Sequence, residues 1–147
     1  MRTMQSLPIN ILAKVAFAAC LLIVIPACGA STDAGSGVYD YANLPAQGNA
    51  ANGQQIFEHG KADAPACASC HHIDSIPSIG PGLGGLADRA DSRVSGQSAR
   101  EYIFNSIIAP AKFIVPGFSN QMYGLYGSKL ASQDVADTIA YVLAPAQ

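Results

Sequence analysis

An all-α domain is the fold class this sequence predicts, and three observations carry the expectation. Ser98-Ala99-Arg100-Glu101 has the serine-to-glutamate spacing of a capping box, and it opens a run with Tyr102, Ile103, Ser106 and Ile107 on successive turns before Pro110 stops it. Val135, Ile139 and Val142 recur at i, i+4 and i+7, widened by Tyr141 and Leu143 into the stripe of a helix with one buried face. Strand-like alternation is poor throughout.

The elements follow in chain order. Asn52 to His59 reads as a short helix carrying Ile56 and Phe57, with Gly60 as its C-terminal cap. Ser98 opens the second helix and Pro110 closes it. Ser132 is expected to cap the last helix, with Asp134 in the first turn facing the positive end of the dipole. Gly-rich turns at Gly80–Gly85 and Gly124–Gly127 allow backbone to come close to whatever they face.

Composition sets the scale. With 147 residues, 50% hydrophobic and 12% charged, the chain can bury one core and is too short for two. Eight Lys and Arg stand against ten Asp and Glu, so there is no basic footprint for nucleic acid. A single long apolar run argues against a polytopic membrane protein.

That run, Val15 to Ile25, is eleven residues long. As a helix it would cover about 16 Å, half of a ~30 Å hydrocarbon core. Arg2 and Lys14 precede it and small residues follow, which is the layout of an export signal rather than a spanning helix. The close of the run, Ile25-Pro26-Ala27-Cys28-Gly29, resembles the bacterial lipoprotein signal, and the resemblance implies cleavage before Cys28 and its lipidation. Cys20 is a second candidate with less apolar length before it, and an ordinary cleaved signal or an uncleaved anchor are the alternatives. Residues 1–27 are therefore expected to be a leader, 28–49 a flexible tether and 50–147 the folded domain. Gly29 to Asn49 is rich in Gly, Ala, Ser, Asn and Asp and buries little. Twenty such residues have a root-mean-square span of about 25 Å and a stretched limit of about 70 Å, so the domain would stay near the membrane at raised effective concentration. Without Arg2 and Lys14, six basic residues face ten acidic ones, a balance of −4.

Chemistry concentrates at Cys67-Ala68-Ser69-Cys70-His71. Two cysteines three apart with histidine next form the attachment pattern of c-type haem. On a tight helical turn both thiols can reach the vinyl groups on one porphyrin edge while the imidazole meets the iron. A thioredoxin-like redox pair would need a βαβ setting, which the flanks do not offer. A structural zinc site needs four ligands, and only Cys67, Cys70, His59, His71 and His72 could supply soft ones. A disulfide between Cys67 and Cys70 would leave His71 unexplained. Cysteine parity agrees with haem: of the four cysteines Cys20 leaves with the leader, one lipid takes Cys28, and two thioethers take Cys67 and Cys70.

From about Ala51 to Pro145 the chain resembles the monohaem class I cytochromes c. Gly53 and Phe57 stand where that family's opening helix has glycine and an aromatic four apart. Gly80-Pro81-Gly82-Leu83-Gly84-Gly85-Leu86-Ala87-Asp88-Arg89 looks like its Gly-Pro-x-Leu-x-Gly-Leu-x-x-Arg loop, where a backbone carbonyl accepts the Nδ1–H of the proximal histidine. Asp137-Thr138-Ile139-Ala140-Tyr141-Val142 resembles its terminal helix, whose aromatic packs across the first. The stretch from Arg93 to Phe118 looks closest to bacterial membrane-associated members, among them haem domains of oxidase subunits and the small cytochrome of a quinol-oxidising complex. The resemblance implies a small cytochrome c fold of three to five helices around one covalently attached haem c. It also implies that the domain is poorly folded without haem.

Met122 is the only methionine outside the expected leader, and it stands where the family places its axial ligand, with Tyr123 in place of the usual proline. The expected iron ligands are thus His71 and Met122, with His59 as a rival that more simply ends the first helix and His72 as an exposed side chain. Methionine favours Fe(II) and raises the potential, and filling both axial positions leaves the iron only a change of charge. Arg89 and Arg93 are candidates for propionate partners, with a solvated loop charge the equal alternative. The expected function is a one-electron carrier, not an enzyme, lipid-anchored on the extracytoplasmic face of a bacterial membrane. Its expected partners are a quinol-oxidising complex, a terminal oxidase or a photosynthetic reaction centre, as a mobile shuttle or a subunit of a larger oxidoreductase. The alternative is a haem sensor or peroxidase with an open distal site, Met122 being core.

Overall fold

The structure, a computed structural model, describes residues 40–145. The expected leader, Cys20, Cys28 and the first part of the expected tether lie outside the described residues. Four α-helices follow one another: α1 (Ala50–His59), α2 (Ala99–Ile108), α3 (Tyr126–Lys129) and α4 (Ser132–Val142). Single 3-10 turns lie at Tyr41–Asn43, Cys67–Ser69, Leu86–Asp88, Ala90–Ser92 and Pro110–Lys112, and no strand occurs among the described residues. The fold is the expected small all-α one. No helix among the described residues is long and apolar enough to cross a membrane.

Each helix begins and ends for a local reason. The Asn49 side chain accepts from the amides of Ala51 and Asn52, starting α1 two residues before the expected Asn52, and Gly60 (φ 74°) ends it. Ser98 Oγ accepts from the Glu101 amide at 3.2 Å, which is the serine half of the expected capping box. In α4 the cap lies one residue earlier than expected. Ala131 takes the cap position, and the Asp134 carboxylate accepts its amide at 3.0 Å, while Ser132 is already helical. An acidic side chain three residues in can satisfy the cap amide whatever side chain the cap carries.

Helices α1 and α4 cross at close range. A Cβ at Gly53 would run into the Asp137 carbonyl, so only glycine lets the two backbones meet there. One turn on, the rings of Phe57 and Tyr141 meet at 5.4 Å and 59°, the expected aromatic crossing. Asp137, nearly fully buried, ties the same crossing together. Its carboxylate accepts from the Asn49 amide at 2.7 Å, from Gln133 Nε2 at 2.8 Å and from Asn52 Nδ2 at 3.4 Å. Lys61 Nζ pairs with Asp134 at 2.5 Å, bracing the chain after α1 against the start of α4.

The core is built from Ile56 and Phe57 of α1, Tyr102, Ile103, Phe104 and Ile107 of α2, and Val135, Ala136, Ile139 and Val142 of α4. Each large apolar side chain buried there contributes about 1.5–3 kcal/mol. Residues 40–49, read from composition as the end of a flexible tether, lie against this core. Leu44 is buried, and the Tyr41 ring packs at 5.4 Å on Phe104. The Arg100 guanidinium donates to the Pro45 carbonyl, and Gln133 Nε2 donates to the Gln47 carbonyl at 3.1 Å.

Candidate haem site

The 3-10 turn Cys67–Ser69 presents the Cys-x-x-Cys-His segment. The amides of Cys70 and His71 both reach the Cys67 carbonyl, at 3.1 and 3.0 Å, and Ser69 Oγ donates to the Ala66 carbonyl. This folding back brings Cys67, Cys70 and His71 to the wall of one cleft. The two thiols are unbonded. Burial pushes the Cys67 thiol up, partly offset by the nearby Tyr126 hydroxyl.

His71 is held from three directions. Its Nδ1 lies 2.9 Å from the Pro81 carbonyl oxygen, and since a carbonyl can only accept, Nδ1 carries the proton. Nε2 is then the ring nitrogen with a lone pair to give, the tautomer a metal ligand needs. Gly80 lies flat against the imidazole: a Cβ there would stand 2.7 Å from Nδ1 and 2.9 Å from Nε2. The loop that supplies Gly80 and Pro81 is stitched down by Gly80 N to Cys70 O at 2.8 Å, Leu83 N to His72 O at 2.9 Å, and Gly84 N to Asp74 O at 2.7 Å. Arg89 completes it, donating to the carbonyls of Gly82, at 2.9 Å, and Gly84.

The cleft has a volume of about 1120 Å³ with its open mouth included. Phe57, Leu86, Ile103, Ile107 and Val142 form its floor from the three long helices and the turn at Leu86. The segment from Phe113 to Met122 provides further wall, including Val115, Phe118 and Met122. Met122, half-buried, therefore shares the cleft with His71.

Residues 50–144 match the Cytochrome c family. The chain belongs to the cytochrome c family. No curated relative matches it. Membership implies a haem cofactor and haem-based electron transfer, and the donor set of this cytochrome fits the group: one imidazole with Nε2 available, one soft thioether, two unbonded thiols on a single turn, and an apolar cleft that brings them together.

The other expected residues separate. Arg89 lines the cleft, and its guanidinium donates to the Gly82 and Gly84 carbonyls, which holds the histidine loop. Arg93 lines the cleft half-buried. The His59 side chain is 68% exposed beside Glu58 and takes no part in the cleft, and His72 is exposed as expected. Of the two Gly-rich turns, Gly80 and Gly82 reach the cleft wall and Gly124–Gly127 do not: Gly124 faces open space and Gly127 packs on Ile108.

Tyr126 was not foreseen. Its hydroxyl donates to the Pro65 carbonyl at 2.9 Å, its ring meets Tyr123 edge-on at 5.0 Å, and burial pushes its pKa well above the usual tyrosine value. Four positions after Met122, Tyr126 reads from sequence as one more aromatic in a Gly-rich turn. Only the return of the chain over Cys67 gives it a role.

Proposed function

We propose that this protein is a monohaem class I cytochrome c that carries one electron at a time for a membrane redox chain, and that Cys28 anchors it by lipid to the extracytoplasmic face of a bacterial membrane. Residues 1–27 would be the leader. The observation that carries the reading is the His71 imidazole oriented by the Pro81 carbonyl in the same cleft as Met122.

Cys67 and Cys70 would hold haem c by two thioethers, and His71 Nε2 and Met122 Sδ would be the ligands to its iron. When bound, haem c supplies an Fe(III)/Fe(II) couple that changes charge without bond making. The chain's own residues do the rest. Pro81 fixes the tautomer and heading of His71, which raises its basicity as a ligand. Met122 supplies a neutral, polarisable sulfur that favours the reduced state. The apolar walls exclude water, which limits the reorganisation that accompanies charge change.

The test is spectroscopic. Purified, exported protein should stain covalently for haem on a denaturing gel and show a low-spin ferric spectrum with the weak near-infrared thioether band. Met122→Ala should abolish that band, lower the potential and admit carbon monoxide. A high-spin spectrum in the parent protein would favour an open-site haem sensor, and a low-spin one unchanged by Met122→Ala would refute Met122 as ligand. Palmitate labelling lost in Cys28→Ala tests the anchor.

A further inference from the structure

Tyr126 is nearly fully buried, yet it stands outside the wall of the cleft. It lies on a seam between two segments: one, Lys61 to Pro65, leads into the Cys67 turn, and the other, Tyr126 to Asp134, leads away from Met122. Three polar contacts close the seam in antiparallel order. Lys61 Nζ pairs with Asp134 at 2.5 Å, Lys129 Nζ with Asp63 at 3.1 Å, and the Tyr126 hydroxyl donates to the Pro65 carbonyl at 2.9 Å. The first two are open to water, with the Lys61 side chain 53% and that of Asp63 85% exposed, so they hold weakly. The Tyr126 contact is the sheltered one and the nearest in chain order to both Cys67 and Met122. Its ring also meets that of Tyr123, the neighbour of Met122, edge-on at 5.0 Å, and its hydroxyl lies beside Cys67. The stretch that carries Met122 has little else to fasten it. Among the described residues, Phe113 to Gly124 makes hydrogen bonds only within itself, from Phe118 to Val115 and from Gln121 to Ser119.

Resting on the assignment of Met122 as an iron ligand above, we propose that Tyr126 is a positioning residue: it holds the Met122 segment against the Cys67 turn and so sets how firmly Met122 stays on the iron. A neutral thioether brings no charge to keep it at a metal, so its retention depends on the chain that presents it. His71 has the Pro81 carbonyl for this purpose, whereas Met122 sits at the end of a stretch whose first hydrogen bond to another part of the chain is that of Tyr126. Releasing that bond lets the segment lift without unfolding the helices behind it. A role as a proton or electron relay fits the geometry less well, because the phenolic proton points at a carbonyl, which cannot take it.

The experiment titrates the full-length ferric holoprotein with cyanide at neutral pH, followed by visible absorbance and by the near-infrared thioether band. Cyanide reaches the iron only when Met122 has left it, so its apparent affinity reads the fraction of molecules with the segment lifted. Tyr126→Phe should raise that affinity about fivefold, the worth of one hydrogen bond, while the thioether band persists without cyanide. Tyr123→Leu, which removes the ring contact instead, should raise it roughly threefold. Leu44→Ala is the control for general loosening: Leu44 is buried away from the cleft, so this variant should melt lower than Tyr126→Phe yet keep the parent's cyanide affinity to within about twofold. A change of less than about twofold in both tyrosine variants, or an equal rise in Leu44→Ala, overturns the proposal. A parent protein without the thioether band overturns the Met122 assignment and the proposal with it, whereas a parent that has the band and a Tyr126→Phe variant that binds cyanide no better overturn only the role of Tyr126.

Discussion

Replacing Gly80 by alanine isolates the contact that aims the histidine. The added methyl would stand 2.7 Å from Nδ1 and 2.9 Å from Nε2 of His71, far inside ordinary carbon–nitrogen contact. The backbone cannot give way easily, because the Gly80 amide is held by the Cys70 carbonyl at 2.8 Å and its own carbonyl accepts from Ser78 at 2.9 Å. The ring must therefore retreat by roughly an ångström, which takes Nδ1 out of hydrogen-bonding range of Pro81. Overpacking costs about 1–3 kcal/mol and the lost hydrogen bond about 1 kcal/mol more. A domain of this size loses roughly 4–8 °C per kcal/mol, so the holoprotein should melt at least 8 °C lower by far-ultraviolet circular dichroism. The loss of a ligand-orienting partner should also weaken the axial bond, read as a shift in the visible spectrum. Gly124→Ala is the control: a Cβ there meets nothing within 4 Å, so it should leave both readouts unchanged. Equal melting temperatures and identical spectra for Gly80→Ala and Gly124→Ala would refute the reasoning.

Other expectations follow from single contacts. Gly53→Ala presses its methyl onto the Asp137 backbone carbonyl, which no rotamer can relieve, so α1 and α4 must part; exported protein should be sharply reduced in yield or in melting temperature. Tyr126→Phe leaves the Pro65 carbonyl without its donor and should cost about 1 kcal/mol in denaturant unfolding at neutral pH. Because burial raises the Tyr126 pKa, the folded state holds that proton more tightly than the unfolded chain. The stabilisation it brings is complete below about pH 10 and is lost as pH rises further, and Tyr126→Phe should flatten that alkaline fall. Leu44→Ala removes the apolar anchor of residues 40–49 and should cost about 2–5 kcal/mol, with limited proteolysis cutting near Pro45 where the parent is protected.

What could be read from the sequence is what local chemistry decides. The stripes of α2 and α4, the Ser98 cap and the Gly80-Pro81 pair beside His71 all act over a few residues, and each came out where the pattern placed it. The cap of α4 slipped by one because Asp134 satisfies the cap amide whichever side chain stands before it. Tertiary structure alone decided the rest. Residues 40–49 look like tether by composition, yet Tyr41 packs on Phe104, more than fifty positions on in chain order, and Leu44 joins the core. Arg89 gives N–H groups to two carbonyls of the histidine loop, five and seven positions before it. Tyr126 covers Cys67, and Met122 joins His71 in one cleft, only because the chain returns over its own beginning. Short-range order is written in neighbouring side chains, whereas a cleft is made by whichever distant segments burial forces together, and no window of sequence contains both of its walls.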